Sequence, residues 1–130
     1  MNIKGQSAIE FLILIMAILF LFVGLLYFVY SKISDTQNEA VSVAVNEIAL
    51  TVQDEINLAH GSADGYSRQF FLPFNINGLE YEVNIIEDSI YVRTVNGRHA
   101  VALPISEVTG DVLIRNNLIY KINGSVKLNI

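Results

Sequence analysis

Cysteine is absent from the 130 residues, and with it go disulfide scaffolds, thiolate zinc sites, iron–sulfur clusters and thiol nucleophiles. Charge is scarce: 16% of residues are charged against 52% hydrophobic, and the mean hydropathy of +0.45 is high for a soluble domain. That composition excludes intrinsic disorder. Basic residues are the scarcer sign, with 8 Lys and Arg against 13 Asp and Glu, a formal charge of -5 and no basic run. A phosphate backbone would be repelled, which argues against nucleic acid as a partner. Proline occurs twice and not before Pro73, so nothing of that kind interrupts a helix upstream. At 14.5 kDa the chain has room for one small domain plus a targeting or anchoring segment.

What is present is concentrated at the N-terminus. Phe11 to Tyr30 is a run of twenty residues without a charge, interrupted only by Gly24. As a helix rising about 1.5 Å per residue it covers about 30 Å, the thickness of the hydrocarbon layer. A cleaved secretory signal would need a shorter apolar region and a small-x-small site, whereas this run ends in Tyr30, Ser31, Lys32, Ile33 and Ser34. Only Lys4 precedes the run, and a lone cation on a short tail favours holding that tail in the cytoplasm while the remainder crosses. Glu10 stands at the mouth of the run. A carboxylate there is tolerated at the membrane interface with no function, and it is also placed to meet a cation among packed apolar helices.

Gly5, Gln6, Ala8, Glu10 and Leu14 resemble the archaeal class III prepilin signal, Q-x-S-x-E-x-x-x-L, with Ala8 where serine is usual. The same stretch, GQSAIEF, is similar to bacterial tight-adherence pilins, and Gln6 directly after Gly5 favours the archaeal type. The resemblance implies a type IV pilin-like protein cut between Gly5 and Gln6 by a membrane prepilin peptidase on the cytoplasmic side. It implies that Glu10 pairs with the N-terminal amine of Gln6 on a neighbouring subunit. It also implies that the apolar helix, with Phe11, Leu14, Phe20 and Tyr30 along it, forms a filament core. The partners it implies are the chain itself, other pilins, an assembly ATPase and its membrane platform. No cofactor is expected. The precursor is expected in the cell membrane, N-terminus inside and head outside, and the product in an extracellular adhesive filament.

Beyond the run, Ala40 to Ala59 reads as an amphipathic helix with Val41, Val45, Ile48, Val52, Ile56 and Ala59 spaced by three or four. Glu39, Asn46, Gln53, Asp54 and Asn57 fall on the other side, and His60 and Gly61 supply a C-terminal cation and stop. The periodicity predicts one bent helix from about Gln6 to His60, roughly 80 Å long. The expected fold is α+β: a long N-terminal hydrophobic helix, as in the pilin lollipop, with a small antiparallel β head packed on its C-terminal half. The expected divisions are a leader at 1–5, a transmembrane or filament-core helix at 6–33, an amphipathic half at 34–61 and the head at 62–130.

After GSADGY the pattern changes to alternation. Asn77-Gly78 and Asn96-Gly97 are hairpin signals, because both central positions of the favoured turn take positive φ. A hairpin on Asn77-Gly78 sets Phe74 opposite Tyr81, Leu72 opposite Val83 and Phe70 opposite Ile85. A turn at Glu87-Asp88 sets Ile90 by Ile85, Val92 by Val83 and Arg93 by Glu82, and the turn at Asn96-Gly97 adds Val101 by Val92 and Leu103 by Ile90. Turns at Asn116-Asn117 and Asn123-Gly124 extend the meander with strands at Val112 to Arg115, Leu118 to Ile122 and Ser125 to Ile130.

Catalysis has little to stand on. His60 and His99 lack metal-ligand spacing, Glu80 and Glu82 alternate on a polar strand face, and no phosphate loop or nucleophile motif is present. No enzyme activity and no metal are expected. Phe71 and Tyr91, on an outer face, are candidates for an adhesive or subunit contact. Asn123-Gly124-Ser125 is the one N-x-Ser/Thr sequon; it suits an oligosaccharide acceptor, and its Asn-Gly equally suits a plain turn. The expected function is structural polymerisation as a pilin. The alternative is a non-polymerising bitopic membrane protein with an extracellular β binding domain.

Overall fold

The computed structural model describes residues 3–130; Met1 and Asn2 of the expected leader, and the side chains of Ile3 and Lys4, lie outside what is described. Helix α1 (Ile3–Gly61) is followed by β1 (Ser67–Phe71), β2 (Tyr81–Ile86), β3 (Ser89–Thr94), β4 (Ala100–Pro104), β5 (Thr109–Gly110), β6 (Asn116–Ile122) and β7 (Ser125–Leu128). The class is α+β, as the periodicity predicts. The chain divides into two compact units, the first ending at Asn38 and the second covering Glu39–Ile130.

In the second unit the helical stripe Val41, Val45, Ile48, Val52, Ile56 and Ala59 is buried, joined by Ala49. It shares one core with Phe70, Leu72, Tyr81, Val83, Ile90, Val92, Ile119, Val126 and Leu128. Polar ties fix the helix to the strands around that core. The Gln53 Nε2 donates to the Pro104 carbonyl at 2.6 Å, Glu55 meets Arg68 at 3.5 Å, and the His60 ring bonds the Glu107 carbonyl at 2.6 Å. At the helix end, where carbonyls lack intrahelical partners, Lys121 Nζ donates to His60 O and Ser62 O at 2.7 and 2.9 Å.

The strands form two sheets. One is the three-stranded meander β2-β3-β4, with Val83 opposite Val92, Ile85 opposite Ile90, Val92 opposite Val101 and Ile90 opposite Leu103, the expected register. Glu82 and Arg93 pair at 2.7 Å on its other face. Around Asn96-Gly97 the register holds but the loop is wider than two residues: Thr94 pairs with His99, and only Gly97 takes positive φ.

The other sheet, β1-β6-β7-β5, corrects two expectations. The Asn77-Gly78 turn exists, with both residues at positive φ, but its ladder stops at the single pair Ile76 and Leu79. Pro73 has no N–H to extend a ladder, so β1 pairs instead with β6, Phe70 against Asn117 and Phe71 against Asn116. Phe74 accordingly leaves the expected apolar face; it is exposed, with the Arg115 guanidinium 4.7 Å over its ring. Asn116-Asn117 is the start of β6 and not a turn. The Asn117 side chain, buried, accepts from Leu113 N and donates to Leu113 O, both at 2.7 Å. That amide takes the place of a strand partner, and Val112 to Arg115 forms no strand. Asn129 completes the network, donating to Asn117 Oδ1 and to Asp111 O at 2.8 Å. The Asn123-Gly124 turn between β6 and β7 is as expected. The parallel pair β5 with β7 has no local sequence signal; it brings Gly110, at φ +116, so close to Leu128 that a Cβ would lie 1.9 Å from the Leu128 carbonyl oxygen.

Two predictions follow from this packing. Each large apolar side chain on the helical stripe contributes about 1.5–3 kcal/mol when buried, so together they match the about 5–15 kcal/mol by which a domain is stable. A fragment beginning at Ser34 should be soluble, β-rich and cooperative in urea, while one beginning at Ser62 should show no cooperative transition by circular dichroism. Tyr81 supplies the second. It is 2% exposed, its hydroxyl donates to the Pro73 carbonyl, and burial pushes its phenol from 10.0 up to about 12. Above pH 10 the unfolded chain gives up this proton while the folded chain keeps it, so stability falls as pH rises from 10 through about 12. Alkaline unfolding should show that loss in the native sequence and a flatter profile in Tyr81→Phe.

Candidate membrane and assembly segment

The first unit carries the residues on which the sequence reading places function. Helix propensity explains its form: a run of Leu, Ile, Phe and Ala with no proline, continued by Lys32, Thr36 and Gln37. Every side chain from Gly5 to Asn38 is exposed in the isolated chain. The most apolar eighteen-residue window reaches a mean hydropathy of 3.1, long and apolar enough to cross a membrane. Phe20 is 81% exposed and Tyr30 75%, and Phe11 and Leu14 are exposed alike, so α1 offers no inward face over this stretch. A helix apolar all round is stable only in lipid or among other helices.

Gly5, Gln6 and Glu10 lie on the first turns of α1. Gln6 Nε2 donates to Glu10 Oε1 at 3.4 Å, the i to i+4 spacing that puts both groups on one face. In the uncleaved chain the Gln6 nitrogen is a peptide nitrogen within the helix. Beyond the apolar run, Thr36 Oγ1 donates to the Lys32 carbonyl at 2.9 Å, and Lys32 and Asp35 mark the return to water-compatible residues.

The remaining candidates are scattered. Asn123 sits exposed in the β6–β7 turn, where Gly124 N donates to Asp64 Oδ1 at 2.9 Å. Phe71 is 63% exposed, but it belongs to the β1-containing sheet while Tyr91 belongs to β3, so the two share no sheet face. Glu80 is exposed and Glu82 is occupied by Arg93. His60 and His99 lie in different elements, and among the described residues no three His, Cys, Asp or Glu come together. The periodicity did not single out Lys121 or the Asn117 and Asn129 pair. Lys121 and Asn129 are polar residues inside apolar strand patterns, which says that a partner is needed without saying which, and Asn117 carries a turn signal instead. No family, curated protein or solved structure matches this chain in comparison with known proteins.

Proposed function

We propose that this chain is a structural subunit of an archaeal type IV pilus-like surface filament, made as a membrane-anchored precursor, cleaved after Gly5 and polymerised through α1. The observation that carries the reading is a helix surface apolar on every side from Phe11 to Tyr30, headed by Gln6 and Glu10 in hydrogen-bond reach of each other. As a precursor the helix is solvated by lipid, with the tail before Gln6 in the cytoplasm and the β unit outside. Cleavage converts the Gln6 nitrogen into an ammonium. The neighbouring subunit's Glu10 is its counter-charge when helices bundle, because a carboxylate leaving the interface for an apolar bundle is stable only when paired.

The two contributions differ in size. Burial of large apolar side chains contributes about 1.5–3 kcal/mol each, so the run from Phe11 to Tyr30 supplies cohesion and the ion pair sets register and entry. Prepilin peptidase, an assembly ATPase with its platform and other pilins are the partners this role requires. A bitopic protein that never polymerises would use the same helix as a permanent anchor, and the N-terminus separates the two.

The mature protein should begin at Gln6, read as the intact mass of the exported chain; an exported pool retaining residues 1–5 would replace the filament reading by the bitopic one. Glu10→Ala should be processed normally and yet incorporate poorly. A buried ammonium left unpaired costs about 3–5 kcal/mol, so in co-expression its share of purified filaments should fall more than tenfold. Equal incorporation after equal processing would reduce Glu10 to an interfacial residue.

A further inference from the structure

Three Asn-Gly pairs occur in the chain, at Asn77-Gly78, Asn96-Gly97 and Asn123-Gly124, and all six residues are exposed. In such a pair the glycine backbone nitrogen is unhindered by a side chain and can attack the asparagine Cγ. Reaction requires the turn to open and the nitrogen to leave whatever accepts its hydrogen bond.

Asn77-Gly78 and Asn123-Gly124 form a matched comparison. Their φ values are 49 and 80 in the first and 50 and 75 in the second. Backbone conformation and exposure therefore do not distinguish them; their surroundings do. The Asn123 turn closes a ladder of four residue pairs between β6 and β7, Ile122 with Ser125 through Ile119 with Leu128. Its glycine nitrogen donates at 2.9 Å to the Asp64 carboxylate, brought from the loop after α1. The Asn77 turn is closed by one pair, Ile76 with Leu79. Its glycine nitrogen donates at 3.2 Å to the neutral amide oxygen of its exposed neighbour Asn75. A bond to a charged acceptor is shorter and stronger than one to a neutral acceptor. Asn96 is held most firmly. Its Oδ1 accepts from the buried Thr94 hydroxyl at 2.7 Å and from Arg98 N at 3.1 Å, while Gly97 N donates to Thr94 O at 2.9 Å.

We propose that Asn77 is a site of spontaneous conversion to aspartate and isoaspartate, and that the Asp64 carboxylate shields Asn123 from the same reaction. The Gly78 nitrogen bonds to Asn77 Cγ, the Cγ–Nδ2 bond breaks, and the amide proton departs with the nitrogen as ammonia. Water then opens the resulting succinimide at either carbonyl, leaving a carboxylate. No oxidant or reductant is involved. The product places a negative charge on the rim of a groove of about 300 Å³ between α1 and the segment after β1, where Glu47 already stands.

The test is ageing of the purified full-length chain in detergent at mildly alkaline pH, with peptide mass spectrometry following amide-to-acid conversion at each asparagine. Conversion should be fastest at Asn77, slower at Asn123 and slowest at Asn96. Asp64→Ala should speed conversion at Asn123 by about ten- to a hundredfold, the effect of losing one charge-assisted hydrogen bond, and leave the rate at Asn77 unchanged. Asp64 is exposed, so the variant keeps the core, and an unchanged circular dichroism spectrum verifies it. Absence of conversion at Asn77, conversion at Asn96 or Asn123 as fast as at Asn77, or an unaltered Asn123 rate in Asp64→Ala would overturn the proposal.

Discussion

Everything in the second unit depends on one apolar stripe, Val41 to Ala59, being covered. A three-stranded meander and a short four-stranded sheet each have an apolar face that must be buried against another layer. The helix supplies the surface that both need, and the sheets, with Leu72, Ile76, Ile105 and Val112 from the connecting segments, cover the stripe. The remaining interactions refine that arrangement. Gln53 and Glu55 reach strands β4 and β1 from the margins of the buried stripe and His60 reaches the segment between β4 and β5, so they fix rotation of the helix and add little cohesion.

Polar groups do a different kind of work where regular structure stops. The carbonyls of His60 and Ser62 receive the Lys121 ammonium from β6, which pairs carbonyls that the end of the helix leaves without intrahelical partners. Asn117 and Asn129 perform the same service for the segment from Asp111 to Leu113, whose backbone has no strand beside it. A side-chain amide presents a donor nitrogen and an acceptor oxygen in the spacing of a peptide group, with a second hydrogen and a second lone pair to spare, which is why asparagine can stand in for a strand.

How much of this was legible in the sequence follows from how local each signal is. The helix, its buried stripe and its end at His60 and Gly61 are set by periodicity and a stop residue within a few positions. The β2-β3-β4 register is set by short turns, and cross-strand pairs such as Val83 with Val92 agree with it. The partner of β1 is set at long range, by Pro73 ending one ladder and β6 offering another, and alternation reads the same for either partner. Asn116-Asn117 carries turn chemistry but serves as a strand, because the Leu113 backbone competes for the amide. In the first unit the apolar run and the spacing of Gln6 and Glu10 are local and legible, while their use in assembly depends on neighbours outside a single chain.

The pairing of β1 with β6 also orders the events of folding. The β2-β3-β4 meander joins residues close in the chain, whereas β1 and β6 are separated in the chain by the whole meander and β5. Closing so long a loop loses chain entropy that only the finished ladder returns. The ladder from Phe71 and Asn116 to Ser67 and Tyr120 is therefore a late event, and until it forms the edge of β1 and the helical stripe stay open to other chains. In a crowded population of identical chains, this late closure is the interval in which each is most exposed to domain swapping and aggregation.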